Sequence, residues 1–292
     1  MKFLNKLYNS IEWRLNQKII YNLISAFKTN KFSSISGDRS ESDDGNYVRE
    51  LTKIVSNDEY FKNFKSNRFY RQILEHTTKL QGEGYLEEIK KNSDILINEI
   101  ENFKENDLIG MPNLSFYKDI GSISPTTLRY VKVASDLNKI FNGNIGKNIC
   151  EIGAGYGGQF FILNKIFKIN SYRMFDLPEA NLLIEKYLKN FSILAKYKTS
   201  TLDSFNEESD FDLVISNYAF SEIGRNEQIK YINRVLSKSK RGYLTMNSGK
   251  KNSEFKHNHL LLDELEDLLP KFKVLEEKPL IWEDNYIIVW GD

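Results

Sequence analysis

Residues 148–167 read NICEIGAGYGGQFFILNKIF. A short apolar run meets Gly153, Gly155 and Gly157 at every second position, and an apolar-periodic segment follows. The stretch reads as a strand, a tight turn and a helix. Glycine reaches positive φ without a steric penalty and lets a ligand come close to the backbone. Gly153, Gly155 and Gly158 also satisfy G-x-G-x-x-G, a pattern that several kinds of nucleotide-binding sheet share.

The chain around this turn alternates. NICEI, SYRMF, ILAKYK, DLVISN, GYLTMN, FKVLEE and NYIIVWG are β-prone runs separated by helical patterns. Such alternation predicts an α/β fold: a parallel sheet wound with helices on both faces. Before it, ISPTTLRYVKVASDLNKIF (123–141) reads as a helix with Ser124 as N-cap and Pro125 at the first helical position. From Tyr47 to about Ile109 apolar residues recur at helical spacing, without strand signals. Residues 31–46, polar and glycine-containing, read as a linker or mobile loop. Residues 1–28 form a basic amphipathic pattern, with Phe3, Leu7, Ile11, Leu15, Ile19 and Leu23 on one face. A helix of this kind either lies on an anionic membrane or packs on the body or on a second subunit. The expected division is an amphipathic helix over 1–30, a helical cap on the substrate side over 31–120 and an α/β domain over 121–292.

Two acids narrow the ligand. Glu151 stands two residues before Gly153, where a carboxylate suits the cationic amino group of a methionine moiety and would repel a pyrophosphate. In RMFDLPEA, Asp176 ends the next strand, where an acid accepts from both ribose hydroxyls. Leu177 would then lie against adenine, and Pro178 would start the following helix. The pair favours S-adenosylmethionine over a dinucleotide.

At EIGAGYGG, FDLP and FDLVISNYAFSEI the chain resembles class I S-adenosylmethionine-dependent methyltransferases. ISPTTLRY, SNYAFSEI and RGYLTMNSG extend the resemblance to the sugar O-methyltransferases of bacterial surface-polysaccharide (capsule and lipopolysaccharide) gene clusters. It covers about 120–292 well and leaves 1–45 out. It implies a Rossmann-like seven-stranded sheet whose last strand is antiparallel, closed by a hairpin in FKVLEEKPLIWEDNYIIVW. It also implies a cofactor site built from Arg129, Glu151, Gly153, Ala154, Gly155, Gly157, Asp176, Leu177, Leu202, Asp203 and Asn217. Arg129 is a candidate clamp for the methionine carboxylate, and Leu202 or Asp203 a candidate border of the adenine.

The reaction expected is methyl transfer to a hydroxyl of a sugar, either nucleotide-linked or in a polysaccharide precursor. A sugar hydroxyl is a poor acid, so a base is sought near the methyl group. The candidates are His259, His257, Glu222 and Tyr218. A phosphate, phosphoramidate or amine acceptor of the same pathway is the alternative, and a non-catalytic membrane-associated scaffold a further one. Some sugar O-methyltransferases of this fold use a divalent cation, but the spacing of His, Cys and Asp indicates no metal site.

Composition excludes rather than selects. Lys and Arg total 41 against 40 Asp and Glu, so bulk charge argues for no nucleic-acid partner. Cys150 is the only cysteine and leaves no internal disulfide. No run reaches the roughly 18 apolar residues of a membrane span, and polar residues interrupt any secretory signal at the N-terminus. The expected location is the cytoplasm, at the inner face of the membrane if residues 1–28 lie on it; a homo-oligomer through the same residues is the other reading.

Overall fold

The computed structural model describes residues 45–292, apart from 93, 207–209 and 251–258. The amphipathic pattern of 1–28, most of the polar stretch 31–46, and His257 with its neighbours lie outside the described residues.

Among the described residues six short helices come first: α1 Asn46–Ser56, α2 Asp58–Lys62, α3 Arg68–Ile73, α4 Lys79–Asn92, α5 Asp94–Asn98 and α6 Ile100–Lys104. Asn57 and Asn67 start α2 and α3 by accepting from the amides two and three residues on, as N-cap side chains do. An antiparallel hairpin then pairs β1 Ser115–Tyr117 with β2 Gly121–Ile123. Its three-residue strands are too short to show a period of two, and the sequence pattern gave no sign of them.

Helix α7, Pro125–Ile140, begins where Ser124 Oγ accepts from Thr126 N at 3.2 Å. It packs between α4 on one side and α8, Gly158–Ile166, on the other. Its first eleven residues are therefore buried all round, Arg129 and Lys132 included. Lys132 is neutralised by Asp136 at 2.7 Å, one turn on.

The rest alternates: β3 Asn148–Ile152, α8, β4 Ser171–Phe175, α9 Pro178–Leu188, β5 Lys196–Ser200, β6 Leu213–Asn217, α10 Ala219–Glu222, α11 Arg225–Arg234, β7 Gly242–Met246, α12 Leu262–Leu268, β8 Lys273–Glu276 and β9 Tyr286–Trp290. The sheet runs β5-β4-β3-β6-β7-β9-β8. Pairing is parallel from β5 to β7, and β9 is antiparallel to both β7 and β8. This is the seven-stranded Rossmann-like arrangement expected, last strand included. One strand differs: β5 starts at Lys196, three residues later than ILAKYK suggested. KYKTS is a polar edge strand with no fully buried position, so pairing with β4 sets its bounds rather than an apolar pattern.

Residues of β3 feed both faces. Ile149 joins the core shared with α7, α8 and α9, while Cys150 and Ile152 join the core under α11 and α12. Chain order reverses between β3 and β6, so their carboxyl ends bound the crevice in which open α/β sheets hold ligands. Among the described residues, no helix is long and apolar enough to cross a membrane.

Ser124→Ala removes the cap on α7. Its unfolding free energy should fall by about 1 kcal/mol, read as a lower urea midpoint with an unchanged slope.

Candidate active site at the switch point of the sheet

The turn after β3 has no room for a side chain at Gly153 or Gly155. Gly153 has φ +76°, and a Cβ there would meet Ala219 Cβ at 2.0 Å. Gly155, at φ +62°, would place one 2.9 Å from Leu74 Cδ1. The turn is thus pressed from below by the start of α10 and from above by the segment after α3. The helical region therefore roofs the crevice, with Leu74 seated on the glycine turn.

Asp176 closes the next turn. Its Oδ2 accepts from Gly155 N at 2.8 Å and its Oδ1 from Leu177 N at 2.7 Å. Burial pushes this carboxyl up to about 6, against the amide bonds from Gly155, Leu177 and Ala154 that favour its charge. Leu177 packs partly buried against the main core. Tyr47 of α1 and Tyr70 of α3 lie within the field of Asp176, which again puts the helical region over the carboxyl ends of the strands.

Glu151 sits deeper, 2% exposed, with Tyr172 Oη donating to its Oε2 at 2.9 Å. Burial raises its pKa to about 8; the Tyr172 bond opposes this and the charge of Asp176 adds to it. At that depth Glu151 lies beneath the glycine turn rather than on its surface.

Arg129 and Asn217 each leave a buried polar atom open. Arg129, 8% exposed, donates from Nη2 to the Leu74 carbonyl at 3.3 Å, and its Nε has no hydrogen-bond partner among the described residues. Asn217, the last residue of β6, donates from Nδ2 to Gln159 Oε1 at 3.3 Å, and its buried Oδ1 is likewise unpartnered. Gln159 joins the two elements, since its Nε2 donates to the Tyr130 carbonyl at 3.1 Å. Nothing in the sequence separates Gln159 from an ordinary helix residue; only its position next to Gly158, 1% exposed, marks it. The result is one unmatched donor and one unmatched acceptor on elements locked together beside the glycine turn.

The remaining candidates divide into groups. Leu202 is buried in the second core, and Asp203 is exposed on the turn after β5. Tyr218 follows Asn217 at φ +68°, a conformation that costs a side-chain-bearing residue about 1–2 kcal/mol. Its hydroxyl donates to Glu277, on the connection between β8 and β9. Glu222 accepts from Asn247 Nδ2 at 2.9 Å. His259, 8% exposed, has Nδ1 2.9 Å from the Ile223 carbonyl, so Glu222 and His259 lie on one side of the crevice, at the α10–α11 turn. Among the described residues, no group of three His, Cys, Asp or Glu side chains is placed to hold a metal ion.

Sequence reasoning also passed over Lys65. It is wholly buried between α2 and α3, with its ammonium 4.3 Å from the ring centre of Tyr156, inside the glycine turn, and 4.8 Å from that of Tyr187. It donates to the Asn106 carbonyl. Burial lowers its pKa to about 8, against the raising fields of Glu75 and Asp107. A lysine in a run of surface-type residues carries no sequence mark of such a place.

No protein-family model matches the chain, and no curated protein matches it. Among solved structures it is similar to a magnesium protoporphyrin IX methyltransferase from Synechocystis PCC 6803 with bound SAM, at 12% identity over 82% of this chain and 95% of that one, TM-score 0.43. It is also similar to an S-adenosylmethionine-dependent methyltransferase from Clostridium acetobutylicum ATCC 824, at 11% identity over 55% and 98%, TM-score 0.40. A SAM-dependent methyltransferase from Aquifex aeolicus matches at 13% identity over 53% and 88%, TM-score 0.40.

The two buried acids give a pH dependence. A carboxyl whose folded pKa exceeds its unfolded one keeps its proton longer when folded, so stability falls as pH rises between the two values. For Glu151 the window runs from 4.5 to about 8, and for Asp176 from 3.8 to about 6. Urea midpoints of the ligand-free protein should fall between pH 5.5 and 7.5, and Glu151→Gln should flatten that fall.

Proposed function

We propose that the chain is a methyltransferase that takes its methyl group from S-adenosylmethionine and delivers it to a hydroxyl of a sugar-type acceptor. The observation that carries the cofactor reading is the pair of orphaned polar atoms. Arg129 Nε is a charged donor and Asn217 Oδ1 an acceptor, both without partners. A free α-amino acid end supplies the complementary pair, a carboxylate for Arg129 and an ammonium for Asn217. The ionised carboxyl of Asp176, and that of Glu151 once it gives up its proton, favour that ammonium. Asp176 keeps accepting capacity beyond the amides it binds, which suits a ribose hydroxyl. The residues present therefore fit the cofactor.

Arg129, Asn217, Asp176 and the glycine turn would hold it, with Leu177 and Leu202 offering apolar surface to the base. When bound, the cofactor supplies a methyl group on a sulfonium that is already a good leaving group. The protein's own task is to orient the acceptor and to take its proton. Leu74 and the roof of helices keep water from the turn, and in such a site fixed dipoles act strongly.

The sugar acceptor rests on the resemblance of ISPTTLRY, SNYAFSEI and RGYLTMNSG to sugar O-methyltransferases. The side of the crevice beyond Asn217 supports it with hydroxyl- and carboxylate-bearing groups: Tyr85, Tyr218 and Glu277. A capsule or lipopolysaccharide precursor is the proposed setting.

Two measurements test this. Calorimetric titration should show S-adenosylmethionine and S-adenosylhomocysteine binding and NAD giving no heat. Arg129→Met and Asp176→Asn should each weaken binding by about tenfold or more, the scale of a lost hydrogen bond to a charged group. No heat with either adenosyl compound overturns the cofactor reading. Incubation with labelled cofactor and a panel of nucleotide sugars should then give a sugar heavier by one methyl group, whereas a methyl on phosphate or amine would replace the acceptor.

A further inference from the structure

Tyr218 is held in a way that the fold does not require. It stands at the carboxyl end of β6, directly after Asn217, where the crevice opens. Its amide donates to the Thr245 carbonyl at 2.9 Å, and its carbonyl accepts from Ser221 Oγ at 2.7 Å. With the main chain fixed at both ends and φ at +68°, the side chain is committed to one direction. That direction ends on Glu277: the phenol donates to Oε1.

Glu277 is the stranger partner. It is 3% exposed, and every donor it has is neutral: Tyr218 on one oxygen, Ile281 N at 3.1 Å and Asn285 Nδ2 at 2.8 Å on the other. Burying a carboxylate without a cation is costly, and an apolar residue would serve packing better. Its one oxygen not engaged by the loop faces Tyr218 alone. Tyr85 and Arg129 feel the same centre. The Tyr218 phenol is pushed up by its burial and by Glu277 and Tyr85, and drawn down by Arg129, so these four side chains lie within one another's field. A phenol held neutral is a poor base by itself. It still has lone pairs with which to accept from an incoming hydroxyl, and a carboxylate behind it to take its own proton.

We propose that Tyr218 and Glu277 form a proton relay facing the methyl-transfer position, with Glu277 as the proton sink. The proposal rests on the cofactor reading above. As the acceptor oxygen bonds to the methyl carbon, the electron pair of the breaking carbon–sulfur bond stays on sulfur. The acceptor's proton moves to Tyr218 Oη, and the phenolic proton moves to Glu277 Oε1. Charge balances: one sulfonium and one carboxylate become a neutral thioether and a neutral carboxylic acid. His259, whose Nδ1 rests on a main-chain carbonyl, and Glu222, held by Asn247, are not needed as base.

The test uses binding alone. Sinefungin carries an amino group on carbon in place of the methylsulfonium, so its ammonium occupies the methyl position. A relay that faces this position makes the full-length protein bind sinefungin more tightly than S-adenosylhomocysteine. The ratio of the two Kd values should fall about tenfold in Glu277→Gln, and several-fold in Tyr218→Phe, with S-adenosylhomocysteine affinity kept in both. A purely structural role for either residue would change both affinities together. An unchanged ratio in a variant that still binds S-adenosylhomocysteine overturns the relay. Tyr218→Phe retains the ring and carries the test if Glu277→Gln does not fold. Wild-type protein that binds neither compound overturns the cofactor reading instead.

Discussion

The hydrogen bond from the Gly155 amide to Asp176 ties two strand-to-helix turns into one surface. It forms because the turn after β3 carries no side chain at Gly153 and Gly155, so that the chain can lie on Ala219 below and Leu74 above. Every other feature of the crevice takes its position from that surface. With the turn fixed, Gly158 lets Tyr130 of α7 close on the start of α8; a Cβ there would be 2.6 Å from the Tyr130 ring. That contact brings Arg129, the neighbouring residue, to the mouth of the crevice.

The second tie is Gln159. It joins the Tyr130 carbonyl to the side chain of Asn217, and so links a helix that precedes the sheet with the strand that presents Tyr218. Neither bond is strong alone, at about 1 kcal/mol net each. Their value lies in geometry: the open donor of Arg129 and the open acceptor of Asn217 keep a fixed relation, and the entropy of arranging them is lost on folding rather than on binding.

Much of this was legible. The seven strands, the cap at Ser124, the glycine turn and the acid after β4 are local patterns, and local patterns are what a single sequence displays. The placement of Asn217 and Tyr218 follows from the end of β6. What stayed hidden is what only packing decides. Lys65, Gln159 and Glu277 look like surface residues in their own segments, and each is buried by a partner far away in the chain: Tyr156, Asn217 and Tyr218. The depth of Glu151 is likewise a tertiary fact. A carboxylate before the glycines reads as a contact, and the fold sets it beneath the turn on Tyr172. The β1–β2 hairpin was invisible because three residues show no period.

The sign of the crevice bears on which class of nucleotide such a turn would take. Glu151 and Asp176 are buried acids whose pKa values burial raises to about 8 and about 6, Glu277 is a buried carboxyl group, and Arg129 is a buried guanidinium. A dinucleotide would bring two phosphate charges to the glycine turn, where Asp176 is the acid that ionises near neutral pH and Glu151 keeps its proton. A ligand with two cationic centres and one carboxylate reverses each sign: ammonium and sulfonium lower the energy of the three acids, and the carboxylate meets the one guanidinium. The same attraction would favour release of the proton that burial keeps on Glu151. Burial thus favours Glu151 protonated, and a cation held near it would favour it ionised.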